Sequence, residues 1–153
     1  CKFIINSAIK EKSFRKSVTD LGKKVLLFEG GKSLDLDRIV TQRALEGTLK
    51  VLHYLGFRSD NDDTILAPAI KQHLVTKSSW LRAPKSGMYR GFKVLGSLVE
   101  KGQLLGSVSD PFGTSERAVK APYAGYIICN NHAPIVNQGD ALFHITTEAI
   151  ELK

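Results

Sequence analysis

The sequence has little cysteine: only Cys1 and Cys129 occur among its 153 residues. Two cysteines cannot form the disulfide framework of a small secreted domain, and neither lies at a spacing typical of a zinc knuckle. We therefore expect a reducing compartment and a cytoplasmic location. Residues 121–139 lack Asp, Glu, Lys and Arg, but they include two prolines, two glycines and four Asn or Gln side chains. Such a segment is too polar and too interrupted to span a bilayer, so no membrane partner is expected.

The sequence also lacks a concentrated basic region. Its formal net charge is +7, but residues 1–66 carry 12 Lys or Arg against 9 Asp or Glu, and residues 67–153 carry 10 against 6. No run of basic residues alternates with aromatic residues, which argues against a nucleic-acid partner. The charge allows only a mild preference for anionic ligands.

The first part of the chain alternates between strand and helix signals. Phe3–Ile5 is a short apolar run typical of a buried strand, and the chain opens on it without an initiator Met, which suggests the back part of a longer protein. The pattern predicts a helix over Phe14–Leu21 that Gly22 ends. The apolar run Val25–Phe28 does not alternate with polar residues, which is typical of a strand covered on both faces. Residues 37–55 have the clearest helical periodicity.

This order of elements predicts the remnant of a parallel α/β domain over residues 1–64. The polar segment 58–63 is the best candidate for a domain boundary. From residue 65 onward, short strand signals are separated by Gly, Pro and Asn. We therefore predict a second, all-β domain over residues 65–153.

An internal repeat predicts the architecture of this second domain. Ala-Pro-x-x-Gly at 83–87 recurs at 121–125, and Val-x-x-Gly-x-x-Leu at 99–105 recurs at 136–142. Two similar β-units can pair and bury a core that neither has alone. We therefore predict a small all-β barrel or sandwich, and the repeat resembles that of biotinyl and lipoyl carrier domains.

The hairpin that joins the two repeats argues against a carrier function. A carrier presents an acceptor lysine at the tip of this hairpin, because the cofactor is attached through the lysine amine. Residues 109–114 at the tip contain no lysine, and the next one is Lys120, at the start of the second repeat. A binding or structural module without a cofactor remains as one alternative for this domain.

Two charged residues in the first part are candidates for a functional site. Glu29 ends the predicted strand Val25–Phe28 and precedes Gly30 and Gly31. Functional crevices of open α/β sheets lie beyond the carboxyl ends of the strands, where a carboxylate can meet a ligand. Arg15 begins the preceding helix and can hold a substrate carboxylate by a bidentate pair. For both residues, an ordinary solvent-exposed side chain is the alternative interpretation.

The histidines and tyrosines suggest structure rather than chemistry. No histidine has a His, Asp or Glu at a spacing typical of a metal site, so we expect structural roles for all four. Three tyrosines of the second half are most simply explained as packing residues. These residues are His53, His73, His132, His144, Tyr89, Tyr123 and Tyr126.

Several segments in the same order together resemble the C-terminal portion of the succinylglutamate desuccinylase/aspartoacylase family. Each segment alone is a weak signal, but the combination covers nearly the whole chain. The long helix with Gly47 fits the same pattern. The segments are Ser13-Phe14-Arg15, Val25–Gly31, Trp80–Pro84, Asp110–Gly113 and Val136–Ile145.

This resemblance implies a zinc-dependent amide hydrolase with a carboxypeptidase-like α/β domain followed by a small β domain. In the family, zinc activates a water molecule, and a glutamate at a strand end relays the proton to the leaving amine. Glu29 matches that glutamate, and Arg15 matches an arginine that contacts the anionic substrate. The zinc ligands of the family lie upstream of this chain, so the chain alone is expected to bind no catalytic zinc, and a parent that has itself lost them is an alternative.

The expected partner is therefore a small anionic amide such as an N-acyl amino acid. A homo-oligomer is a further alternative, because an exposed sheet edge can pair with a second subunit or be covered by another domain. The competing function is a non-catalytic binding or structural module with a lipoyl-like barrel.

Overall fold

A computed structural model describes residues 2–59 and 71–152, which divide into two units. The first unit contains the described residues from Ala8 to 59. The second contains Lys2–Ser7 and the described residues from Lys71 onward. The predicted domain boundary between residues 64 and 65 lies outside the described residues, as does most of the polar segment 58–63.

The described residues form two helices and nine strands. The helices are α1 (Phe14–Asp20) and α2 (Arg38–Tyr54), and the strands are β1 (Phe3–Ile5), β2 (Gln72–Arg82), β3 (Gly87–Gly91), β4 (Leu98–Val99), β5 (Leu104–Ser109), β6 (Glu116–Lys120), β7 (Gly125–Asn130), β8 (Ile135–Val136) and β9 (Ala141–Leu152).

Local signals determine where both helices begin and end. The Ser13 side chain caps α1, and the Asp37 carboxylate accepts hydrogen bonds from two N–H groups of the first turn of α2. Gly22 and Gly56 follow the two helices with φ of 70° and 78°. In both cases the N–H groups of the glycine and of the residue after it donate to carbonyls of the last helical turn, which is the Schellman arrangement. The two predicted helices are therefore confirmed to within one residue at each end.

The first unit differs from the prediction in its strand. Val25–Phe28 forms no strand, and residues 8–59 contain no strand that could pair with it. Its Leu26 and Leu27 side chains are 84% and 61% exposed, and neither helix buries a residue. A Cβ at Gly47 of α2 would meet nothing within 4 Å, so this glycine is not closely packed within the described unit. Among the described residues, no helix is long and apolar enough to cross a membrane.

The second unit consists of two open sheets. The five-stranded sheet has the order β1-β2-β9-β7-β4, and the four-stranded sheet has the order β6-β5-β3-β8. The larger sheet is mixed, because β1 pairs with β2 in parallel while its other pairs are antiparallel. No sheet is closed, because neither pairs its two edge strands with each other, so the lipoyl-like barrel form of the predicted barrel or sandwich is not supported.

The two repeats hold each other in place through backbone hydrogen bonds. The Gly102 N–H of the first repeat donates to the carbonyl of Ala121 in the second, over 2.7 Å. In the reverse direction, the Gly139 N–H donates to the Ala83 carbonyl, over 2.9 Å. Each Val-x-x-Gly turn therefore satisfies the Ala-Pro segment of the other copy, and neither copy is complete alone.

One apolar core lies between the two sheets and takes side chains from both. Leu105, Ile127, Leu142, Phe143 and Ile145 have no exposed surface at all. Full burial of a side chain of this size contributes about 1.5–3 kcal/mol. These residues come from β5 of the smaller sheet and from β7 and β9 of the larger sheet, so the core joins the two sheets.

Candidate functional site

Glu29 lies in the segment between α1 and α2, where its side chain is exposed. The strand that was expected to end at this residue is not formed. The following glycine is nevertheless closely packed, because a Cβ at Gly30 would lie 2.7 Å from a Val40 methyl carbon. Gly31 has φ of 82°, a conformation that favours glycine. Larger residues at Gly30 and Gly31 would therefore disturb the chain that directly follows Glu29.

Arg15 lies in the first turn of α1 and is partly exposed. Its Nη2 atom donates a hydrogen bond of 2.8 Å to the Ala8 carbonyl. This bond holds the arginine against the chain that enters the helix. Arg15 and Glu29 belong to the same unit, with Arg15 on α1 and Glu29 on the segment that follows this helix.

The described residues offer no site for the zinc that the sequence resemblance implies. No group of three His, Cys, Asp or Glu side chains in residues 2–59 and 71–152 could hold a metal ion. The four histidines lie in different parts of the fold. His53 is in α2, His132 is in the loop between β7 and β8, and the other two are in strands.

The two strand histidines make ring contacts. His73 is buried and packs between Phe3 and Tyr126, at centroid distances of 5.9 and 4.8 Å. His144 stacks on Trp80 at 4.3 Å with an interplanar angle of 10°. Burial lowers the pKa of His144. The His73–Phe3 and His144–Trp80 contacts join strands that are neighbours in the larger sheet, whereas the His73–Tyr126 contact joins β2 to β7, which are not neighbours.

The tip of the β5–β6 hairpin is a tightly bonded turn around Asp110. Its carboxylate accepts hydrogen bonds from the N–H groups of Phe112, Thr114 and Ser115 and from the Thr114 hydroxyl. Desolvation raises the pKa of Asp110, but the hydrogen bonds from Phe112, Ser115 and Thr114 outweigh it and hold the pKa at about 2. The turn leaves the Phe112 ring 88% exposed.

A lysine that sequence reasoning did not single out lies against this tip. Lys85 Nζ donates to the Ser115 hydroxyl at 3.0 Å and to its carbonyl at 3.3 Å. The tip itself contains no lysine, which agrees with the argument against a carrier. Lys85 lies in the first Ala-Pro-x-x-Gly motif, thirty residues before its partner. No short-range pattern indicates such a contact.

Comparison with solved structures finds this fold in an ectoine utilization protein and in proteins described as succinylglutamate desuccinylases or aspartoacylases. The apo structure of the ectoine utilization protein EutE (DoeB) from Ruegeria pomeroyi matches 96% of this chain with a TM-score of 0.81 and 18% identity. A succinylglutamate desuccinylase from a Silicibacter species matches 98% with a TM-score of 0.77 and 19% identity. A putative member of the family from Shewanella amazonensis matches 77% with a TM-score of 0.64 and 22% identity.

These matches cover less than half of the solved proteins. The chain spans 47% of the Ruegeria protein, 45% of the Silicibacter protein and 33% of the Shewanella protein. Comparison of the sequence with protein-family models and with curated proteins finds no match. The resemblance noted from the sequence motifs is thus supported at the level of the fold, a mixed sheet with few helices that matches part of these solved structures.

Proposed function

We propose that this chain is the C-terminal portion of a zinc-dependent deacylase that cleaves the amide bond of an N-acyl amino acid or a similar small anionic substrate. The observation that carries the proposal is the fold match over 98% of the chain to a protein described as a succinylglutamate desuccinylase, beside the match over 96% to the ectoine utilization protein. In this proposal the zinc ligands are supplied by polypeptide outside the chain, since the described residues contain no metal cluster.

Glu29 acts in this proposal as the general base and acid. An exposed carboxylate can take the proton from the attacking water and pass it to the leaving amine. The close packing at Gly30 and the positive φ of Gly31 support this role, because they restrict the backbone next to the carboxylate. Arg15 acts as the substrate-binding residue, and its planar guanidinium suits a bidentate contact with a carboxylate.

The first unit supports the idea that this portion functions within a larger domain. Its helices bury no residue, and Phe14, Leu26 and Ile39 are 80%, 84% and 66% exposed. Water contact with such side chains is unfavourable by about 25 cal/mol per Å² of apolar surface. A carboxypeptidase-like sheet would cover this surface and give Val25–Phe28 the neighbouring strands that it lacks here.

The test compares the complete protein with the chain alone on a panel of N-acyl amino acids, with and without zinc. We expect zinc-dependent hydrolysis by the complete protein and none by the chain alone. Glu29→Gln should reduce kcat by about 10²–10⁴-fold, the usual contribution of a general acid–base residue. Glu11→Gln, which alters another exposed glutamate of the same unit, is the matched control and should leave kcat unchanged.

Two outcomes would overturn parts of this proposal. A complete protein without zinc-dependent hydrolysis of any N-acyl amino acid would leave the non-catalytic binding or structural module as the better interpretation. Unchanged turnover in Glu29→Gln would remove that residue from the mechanism while leaving the deacylase assignment intact.

Arg15→Lys should raise KM more than it lowers kcat, because lysine keeps the charge but loses the bidentate geometry.

A further inference from the structure

Strand β6 (Glu116–Lys120) forms an open edge of the four-stranded sheet. Among the described residues, its only strand partner is β5. With five residues it is longer than the other edge strands of the two sheets, β1, β4 and β8, which have two or three. An edge strand presents a row of backbone N–H and C=O groups that can pair with a strand of another chain.

Hydrogen bonds just outside both ends of β6 determine which of its backbone groups face β5. Before the strand, the Ser115 carbonyl accepts a bond of 3.1 Å from the Asp110 N–H. After the strand, the Ala121 N–H donates a bond of 2.9 Å to the Gln103 carbonyl. Residues 115 and 121 therefore both direct backbone groups towards the β5 side of the hairpin.

The alternation of an antiparallel ladder then assigns every residue between them. Successive residues of a strand direct their backbone groups to opposite sides, so residues 117 and 119 face β5 like residues 115 and 121. Glu116, Ala118 and Lys120 direct their N–H and C=O groups to the open side. In the part of the chain that the structure describes, no hydrogen bond is made by these six groups.

The side chains of the same three residues carry a charge pattern that is complementary to itself. Val119 is buried, so its neighbours Ala118 and Lys120 point to the outer face of the sheet, as does Glu116 two residues before Ala118. All three are exposed, and neither Glu116 nor Lys120 has an ion pair within the described residues. A negative and a positive side chain thus flank a small central residue.

We propose that β6 pairs with β6 of a second copy of this chain in antiparallel orientation, with Ala118 opposite Ala118 of the second copy. Glu116 of each copy then lies opposite Lys120 of the other. The three outward-facing residues form three hydrogen-bonded pairs, and each pair exchanges two N–H···O=C bonds. The interface is isologous, as in a two-fold symmetric dimer. This inference does not depend on the proposed deacylase function.

Charge selects this register over the neighbouring ones. A register centred on Glu116, Arg117 or Lys120 would place a charged side chain opposite its own copy, and like charges directly opposite each other are destabilising. A register centred on Val119 would place Glu116 opposite Pro122, which has no N–H to donate. Only the register centred on Ala118 places both opposite charges across from each other while keeping all three backbone pairs.

The first experiment is sedimentation velocity of the full chain and of the complete protein over a range of concentrations. We expect a reversible dimer with a dissociation constant in the micromolar range, because one short strand pair is a small interface. Glu116→Lys and Lys120→Glu should each weaken it by about tenfold or more, since each places like charges opposite each other twice. The double variant exchanges the two charges and should restore the dissociation constant to within about threefold. The matched control is Lys101→Glu, which alters an exposed lysine outside β6.

The second experiment tests the register by oxidation in a Cys1→Ser, Cys129→Ser background. In the proposed dimer, the two Cα atoms of Ala118 are about 5.5 Å apart, which a disulfide can bridge. Ala118→Cys should therefore form a covalent dimer. The two Cα atoms of Glu116 are four residues apart along the ladder, about 14 Å, so Glu116→Cys should not. Circular dichroism verifies that each variant is folded.

Four outcomes would overturn the proposal. The first is a protein that stays monomeric at about 1 mM. The second is a dimer that Glu116→Lys and Lys120→Glu weaken no more than Lys101→Glu does. The third is equal crosslinking of the two cysteine variants, which would exclude the register. The fourth is a complete protein that stays monomeric while the chain alone dimerises, which would assign the edge to polypeptide outside the chain.

Discussion

The hydroxyl of Tyr89 is buried in the core of the β unit without a hydrogen-bond partner among the described residues. The residue is only 9% exposed, and its ring meets Phe143 edge-on at a centroid distance of 6.2 Å. A Cβ at Gly91 would lie 2.9 Å from the hydroxyl oxygen, so the hydroxyl occupies space that the glycine leaves free. We predict that Tyr89→Phe is neutral to stabilising, although it removes a polar group from a well-packed core.

The magnitude follows from the cost of desolvating a hydroxyl that gains no partner. Leaving a buried donor or acceptor unsatisfied costs about 1–3 kcal/mol. Phenylalanine fills the same space apart from one oxygen, so little packing is lost. We expect Tyr89→Phe to raise the free energy of unfolding by about 1 kcal/mol. In a domain of about this size, that change raises Tm by about 4–8 °C.

The assay is urea unfolding of wild type and variant, followed by the fluorescence of Trp80, the only tryptophan of the chain. Equal m-values would show that the comparison concerns the same transition. Tyr123→Phe makes the same chemical change at a partly exposed tyrosine and should stay within about 0.5 kcal/mol of wild type. Destabilisation by Tyr89→Phe of more than about 1 kcal/mol would refute the reasoning, because the hydroxyl would then have a partner worth keeping.

The pH dependence gives an independent check on the same hydroxyl. Burial raises the pKa of Tyr89 from 10.0 to about 12. The unfolded chain therefore ionises first as pH rises, and the stability from the neutral phenol is fully present below pH 10 and lost towards about pH 12. Tyr89→Phe lacks this loss, so its advantage over wild type should grow by up to about 1.4 kcal/mol per pH unit in that window. A constant difference across the window would contradict the burial of this group.

Two further predictions concern glycine positions and the hairpin tip. Gly125→Ala should lower the free energy of unfolding by more than about 3 kcal/mol, because the new Cβ would collide with the Thr146 carbonyl. Gly47→Ala in α2 should instead raise the free energy of unfolding by about 1 kcal/mol, since nothing lies within 4 Å of the new Cβ, and thermal unfolding of both variants tests this. The second prediction concerns the NMR resonances of the hairpin-tip amides, which in wild type should shift as pH falls from 3.8 towards about 2, where Asp110 becomes protonated. The same resonances should not shift in Asp110→Asn. An identical pH response in both proteins would show that the carboxylate does not organise the tip.

Helix ends could be predicted from the sequence because their causes are local. Ser13 and Asp37 cap helices through side chains that reach only two or three residues ahead. Gly22 and Gly56 end helices by adopting a positive φ, which is a property of the single residue. The strand over Val25–Phe28 depends on a neighbouring strand, and residues 8–59 contain none. The apolar run therefore indicated a preference for burial, while pairing decides whether it becomes a strand.

The candidate site also combines features that the local sequence indicates with contacts that depend on distant residues. Glu29 and Arg15 were singled out by residue type and position, and the role of each stays a prediction until it is tested in the complete protein. Contacts that join distant parts of the chain had no sequence signal. Lys85 reaches the hairpin tip thirty residues away, and the bulge that pairs Cys129 with His144 is visible only in the strand register.

The repeat accounts for the architecture of the β unit through reciprocal strand pairing. The strand that follows the first repeat, β5, pairs with the strand that precedes the second, β6, with Leu104 opposite Lys120. The strand that follows the second repeat, β9, pairs with the strand that precedes the first, β2, with Ala141 opposite Arg82. Each copy thus supplies the neighbouring strand that the other lacks.

The two pairs differ only at their far ends. The β5–β6 pair is closed by the turn around Asp110, whereas β2 and β9 extend to 11 and 12 residues and the start of β2 takes β1 as a parallel neighbour. In a carrier domain the closed end would present the cofactor, but here Asp110 and Lys85 use its polar groups to brace the turn. The open end instead holds the segment that leads into the first unit. The repeat therefore has one end closed by a bonded turn and one end that pairs with the segment leading into the first unit.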